Sequence, residues 1–264
     1  MERERKIVKK LRPIDDILFQ KMAEDKDFCS ELISTILDEK IQVIENLPQK
    51  SIRNLQGRSV ILDAVCRAEN GRNFNVEVQK QNNDNHQKRV RYNASCITAN
   101  VTEPGCRFEN VPDVCVIYIS EFDIFQKGMS VYHIDRRLRE TGEVLDNGFS
   151  EIYVYAKATD GTEVSELMKL FIDADAYDYQ RFPCTSSRKN QFKNSEEGER
   201  RMCKELQEYL EEGKREAVEK NIRDTARETA RELFKNNIAY QIIKKCASAL
   251  TDEELREIEK EVKG

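Results

Sequence analysis

Ile61-Leu62-Asp63-Ala64-Val65-Cys66-Arg67 and Asn73-Phe74-Asn75-Val76-Glu77-Val78-Gln79, joined through Glu69-Asn70-Gly71, decide how this 264-residue chain is read. Both runs have the alternating apolar character of strands, and Asn-Gly between such runs marks a hairpin. Each also carries a carboxylate where a strand that only packs would carry an apolar or neutral residue. With a two-residue loop, Asp63 would pair with Val78 and Glu77 with Ala64, which puts the acids on opposite faces because successive strand residues alternate. With a three-residue loop, Gly71 takes the left-handed position of a bulge. The pairs then become Arg67 with Asn73, Val65 with Asn75, and Asp63 with Glu77. Only this register gathers Leu62, Ala64, Cys66, Phe74, Val76 and Val78 on one face and Asp63, Glu77 and Gln79 on the other. A one-residue slip would mix the sets, so the sequence predicts the three-residue loop.

Two carboxylates facing each other across a sheet repel unless a cation lies between them. Mg²⁺ is the simplest such cation, because it takes one or two carboxylates together with water and phosphate oxygens. Gln79 shares the acids' face and is placed to orient a water or donate to a phosphate oxygen. Lys80 alternates to the opposite face. The same spacing also suits a polar hairpin surface with incidental acids.

Composition bounds the alternatives. Charged residues make up 35% of the chain and the formal net charge is −5, which argues against a uniformly basic coat for nucleic acid. Lys88-Arg89-Val90-Arg91 and Arg136-Arg137-Leu138-Arg139 are compact basic clusters suited to phosphates, or alternatively to solvated helix faces. No apolar run approaches the roughly 20 residues that span a bilayer. The charged start, Met1-Glu2-Arg3-Glu4-Arg5-Lys6, has no apolar signal core and reads as cytoplasmic. Eight cysteines without a CxxC spacing, and two histidines away from ligand spacing, speak against structural zinc and a disulfide framework. His86 reads as loop surface with a general-acid role open to it, and His133 reads as a core-edge residue between apolar neighbours.

The remaining pattern predicts a frayed segment over 1–12, then a helix opening at Pro13 with Ile14, Ile17, Leu18 and Met22 on one face. A second helix is expected over 27–37 and a strand over 41–47 that ends at Pro48. After the hairpin come a helix over 86–100, a doubly buried strand over 114–119, strands at 130–134 and 151–155, and a helix over 164–172. From about Asn190 the composition turns to Glu, Lys, Arg and Ala. Val218, Ile222, Ala226, Thr229 and Leu233 form a thin apolar stripe, and Thr251-Asp252-Glu253-Glu254 forms a capping box. The expectation is an α/β core over 1–190 with a central mixed sheet flanked by helices. A charged α-helical tail follows over 191–264, suited to homo-oligomerisation or partner binding.

Taken in order, Leu11-Arg12-Pro13-Ile14-Asp15-Asp16-Ile17-Leu18-Phe19, Ile61-Leu62-Asp63-Ala64, Asn75-Val76-Glu77-Val78-Gln79 and Lys88-Arg89-Val90-Arg91-Tyr92 resemble the Rpn-type recombination-promoting nuclease and transposase family of the PD-(D/E)XK nuclease superfamily. The resemblance covers residues 11–180, with the tail similar in style. It implies a restriction-endonuclease-like fold and Mg²⁺-dependent DNA cleavage, with Mn²⁺ as a possible substitute. It also implies metal binding by Asp63 and Glu77, Gln79 at the usual lysine position, and Asp16 as a helix acid near the site. Asp15 competes with Asp16 for that place, since the helix dipole favours an acid at either position. Arg89, Arg91 and Tyr92 are the expected DNA contacts. Leu62 stands where the superfamily has proline, and Gln79 departs from its lysine, although Glu-x-Gln is common in the closer family. A neutral amide supplies neither charge nor base, so the alternative expectation is a catalytically weak DNA-binding or assembly protein that keeps the nuclease fold.

Overall fold

The computed structural model describes residues 2–52 and 59–263. Helices α1 (Glu2–Lys10), α2 (Asp16–Met22) and α3 (Lys26–Leu37) precede the strands β1 (Val43–Ile52), β2 (Val60–Ala68) and β3 (Asn73–Gln79). Then follow α4 (His86–Val101), β4 (Val114–Ser120), β5 (Val131–Ile134), β6 (Arg136–Arg137), β7 (Val144–Leu145) and β8 (Phe149–Tyr155). The chain continues through α5 (Glu163–Ile172), α6 (Pro183–Asn194), α7 (Glu196–Lys235), α8 (Tyr240–Cys246) and α9 (Asp252–Lys263). Six strands form one mixed sheet in the order β1-β2-β3-β4-β8-β5, and β6 pairs with β7 in a separate ribbon. The β3–β4 and β4–β8 pairs are parallel and the other pairs antiparallel. This is the mixed α/β sheet flanked by helices that the sequence predicts.

The hairpin has the three-residue loop. Val65 pairs with Asn75 and Arg67 with Asn73. The Gly71 N–H donates to Ala68 O, the Ala68 N–H donates to Arg72 O, and Gly71 has φ +84°. Glycine takes this left-handed conformation without the Cβ clash that other residues suffer.

β4 is buried at every residue, as its unbroken apolar run requires. Val65, Val116 and Tyr118 pack with Val90, Ala94 and Ile97 of α4 on one face. On the other face, α2 and α3 lie against β1 and β2, and Phe19, Phe28 and Phe171 form an aromatic cluster. Lys189 of α6 is fully buried and donates to Leu170 O, Asp173 O and Ala176 O at 2.6–2.9 Å, which ties the end of α5 to α6.

Several local expectations are corrected. The segment expected to fray is helix α1, because Val8 is fully buried and anchors it. Pro13 and Ile14 stand in the turn before α2 rather than in a helix. β1 runs through Pro48, which an edge strand tolerates because the missing N–H faces away from the ladder. The basic cluster at 136–139 is an exposed ribbon and not a helix face. His133 is exposed on the edge strand β5.

The chain divides into two compact units, Met1–Lys204 and Glu205–Gly264. In the second, Ala226, Ala230 and Phe234 of α7 are buried with Ile243, Ala247, Leu250, Leu255 and Ile258. Val218 and Ile222, earlier in the apolar stripe, are more than half exposed. The capping box forms as expected: Glu254 Oε2 accepts the Thr251 N–H at 2.9 Å, and Thr251 Oγ1 accepts the Glu254 N–H at 3.3 Å. Among the described residues, no helix is long and apolar enough to cross a membrane.

Candidate active site

The two acids meet on the α4 face of the sheet, just past the end of the regular β2–β3 ladder at Ala64–Val76. Asp63 Oδ2 accepts the backbone N–H of Val78 at 2.9 Å, and the Asp63 N–H points back to Glu77 Oε1 at 3.4 Å. Opposite Asp63 in β1, between the Pro48–Ala64 and Lys50–Leu62 pairs, Gln49 takes a left-handed φ of +52°. That strained conformation marks a one-residue break in the edge-strand pairing beside the acids, which resumes at Lys50–Leu62.

Glu77 is 1% exposed. Its Oε1 accepts the Asn75 side-chain N–H at 3.0 Å, whereas Oε2 is buried with no hydrogen-bond donor. Asn75 is also fully buried, and its Oδ1 has no donor either. Burial, and then repulsion from Glu77, push the Asp63 carboxyl well above the usual carboxylate range. Burial likewise raises Glu77, against the opposing pull of the Asn75 hydrogen bond and of Arg89. Groups shifted in this way need a cation to be ionised together.

Arg89, in the first turns of α4, brings one. Its Nη2 lies 3.6 Å from Glu77 Oε2 and its Nη1 3.4 Å from Gln79 Oε1. The Gln79 amide N–H donates to Gln81 O at 2.9 Å, so both ends of this side chain are engaged. Lys80 is turned to the α2 side and paired with Asp15, away from the acids' face, as strand alternation predicts. Asp15 also accepts the Arg12 N–H at 2.7 Å, which makes it the structural member of the Asp15-Asp16 couple. Asp16 is the one whose charge is felt at both Asp63 and Glu77, and burial raises its own carboxyl. Arg91 is exposed and Tyr92 half-buried. With Arg89, Lys88, Asn85 and Ile61 they line a groove of about 590 Å³ beside the start of α4.

His86 is corrected from loop surface to buried. One ring nitrogen, Nδ1, lies 2.8 Å from the Tyr118 hydroxyl and the other, Nε2, 3.1 Å from Asn82 Oδ1. Burial lowers its pKa, so it acts as a neutral peg for the start of α4. Asn75 and Tyr118 were not singled out in the sequence. Asn75 carried a usable signal, being an amide two residues before Glu77 on the same strand face. Tyr118 carried none, because only the parallel β3–β4 register sets it beside Glu77.

The donors suit a hard divalent cation. Two carboxylates converge, and one buried carboxylate oxygen has no donor to satisfy it. Among the described residues, no three His, Cys, Asp or Glu side chains gather as a ligand set. Asp63 and Glu77 would therefore share the ion with water or substrate oxygens. Residues 13–232 match the family model described as PD-(D/E)XK nuclease family transposase. No curated protein and no solved structure matches the chain.

Proposed function

This chain belongs to the PD-(D/E)XK nuclease family transposases, and from that premise we propose that it is a Mg²⁺-dependent DNA endonuclease acting in recombination or transposition. Mn²⁺ is expected to substitute. The observation that carries the reading is the Asp63–Glu77 pair, whose buried Glu77 Oε2 has no hydrogen-bond donor. These two residues would hold the ion, which when bound would polarise the phosphate and make its water acidic enough to attack. Asn75 fixes the Glu77 carboxylate, and the Val78 N–H fixes that of Asp63. Gln79, two residues after Glu77, would position water through the amide N–H that Gln81 O does not take, while Asp16 adds negative charge from the α2 side. Arg89, Arg91 and Tyr92 present charge and a ring to the DNA backbone along the groove. The unpaired cysteines suit the reducing cytoplasm. In the tail, residues 191–264, exposed Val218 and Ile222 support self-association.

The test is nicking of supercoiled plasmid with Mg²⁺ or Mn²⁺. Wild type is expected to nick, and Asp63→Ala and Glu77→Ala to lose the activity. Equal nicking by all three would remove the hairpin from the chemistry. A second reading, DNA binding with feeble cleavage, is favoured by the engaged Gln79 amide and by Lys80 being held on Asp15. Plasmid retention on a gel without nicking in either metal would select it.

A further inference from the structure

We propose that Arg89 is the resident counter-ion of the Asp63–Glu77 pair and competes with a divalent cation for Glu77 Oε2, so that metal binding releases the guanidinium toward DNA phosphate. The inference rests on the nuclease reading and deepens it.

The contact is that of a recruited charge and not of a clamp. Charge-assisted hydrogen bonds lie near 2.7–2.9 Å, and Arg12 meets Glu121 at 2.6 Å in this same chain. Arg89 stands off at 3.6 Å from Glu77 Oε2 and 3.4 Å from Gln79 Oε1. Its backbone, by contrast, is fixed. Asn85 caps the helix by accepting the Lys88 N–H at 3.1 Å, and His86 pegs the first turn to Tyr118. A fixed Cα carrying a long, 36% exposed side chain allows the guanidinium to swing while the helix stays in place.

The charges that face Glu77 leave little choice of partner. From β2 comes Asp63 and from α2 comes Asp16, both acidic, and Lys80 is engaged by Asp15. Among the described residues, Arg89 on α4 is the cation that reaches the pair, 3.6 Å from Glu77 Oε2. Glu77 Oε2 is buried, so a metal ion bound there would sit against the guanidinium, and two cations cannot share that oxygen without strong repulsion. The groove lined by Arg89, Arg91 and Tyr92 gives the displaced guanidinium a place beside the substrate backbone. One side chain would thus hold the acids together before metal arrives and meet phosphate afterwards.

The experiment measures Mn²⁺ binding to the full-length, DNA-free protein by electron paramagnetic resonance, with thermal melts in EDTA and in saturating Mn²⁺. Arg89→Gln is expected to bind Mn²⁺ roughly 5- to 150-fold more tightly than wild type, the usual scale of coupling between two linked binding events. Lys88→Gln removes the same charge from the same turn and is expected to bind as wild type does. In EDTA, Arg89→Gln should melt below wild type, and Mn²⁺ should close the gap. Equal affinity in wild type and Arg89→Gln, with binding lost in Asp63→Ala, would overturn the competition and leave the metal site standing. Equal tightening in both charge variants, or a melting gap that Mn²⁺ leaves open, would also overturn it. No Mn²⁺ binding by wild type would overturn the metal reading itself.

Discussion

Glu77 Oε1 stands 3.4 Å from the backbone nitrogen of Asp63, and Asp63 in turn accepts the N–H that follows Glu77, so each acid is laced into the other's strand. Side chains there replace the ladder bonds that end at Ala64–Val76. The hairpin trades regular pairing for a pocket of carboxylate oxygens.

This arrangement makes the metal-free protein sensitive to pH. Both carboxyls are raised, so the folded chain holds more protons than the unfolded chain between the ordinary carboxylate range and the raised values. Wild-type stability should therefore climb as pH falls through that window. Asp63→Asn removes the repulsion and should stabilise the protein at pH 8, with the gain shrinking by pH 5. Urea melts in EDTA at the two pH values measure this, and an identical gain at both would contradict it.

Gln79→Ala should lower the nicking rate by roughly ten- to a hundredfold, the scale of losing one positioned donor. It should leave Mn²⁺ bound, because the proposed ligands are Asp63 and Glu77. Single-turnover nicking paired with Mn²⁺ titration separates the two effects. Loss of both would make Gln79 part of the metal site.

Lys189→Met should destabilise the first unit by about 2–5 kcal/mol, since three buried carbonyls lose their donor. Chemical denaturation reports the cost. A change under about 0.5 kcal/mol, the usual size for a surface site, would show that the ammonium group is dispensable.

Glu254 links the capping box to Arg223 and Arg227, and its carboxyl is held down at about 2 by the Thr251 N–H and these arginines. Its contribution should be complete above its ordinary value of 4.5 and lost as pH falls toward 2. Glu254→Ala should cost the second unit about 1 kcal/mol at pH 7, the usual worth of a helix cap. Circular dichroism of the full chain, melted at pH 7 and at pH 3, should show the mutational difference shrinking in acid.

The register of the hairpin was legible in the residues because a slip would have put Asp63 and Glu77 among Leu62, Val76 and their apolar neighbours. The Asn70-Gly71 turn agreed with that pattern. β4, α4 and the capping box at Thr251 were legible for similar local reasons: an unbroken apolar run, helical spacing, and a side chain that satisfies a nearby N–H. The identities of Asp63 and Glu77, and their meeting on one face, were thus determined by sequence alone.

Tertiary structure decided what the acids meet. Whether Glu77 is exposed or sealed depends on α4 crossing its face, and no local pattern contains that crossing. The choice between Asp15 and Asp16 turned on Arg12 and Lys80 taking the first and leaving the second toward the site. His86 looked like loop surface until β4 set the Tyr118 hydroxyl beside it, and Val8 drew a charged segment into a helix. The sequence offered Arg89 as a phosphate contact on a helix; burial beneath that helix makes it the partner of Glu77. Strand alternation and turn chemistry act within a few residues, so the sequence displays them. Burial, and the electrostatics that burial amplifies, arise only when distant segments exclude water together.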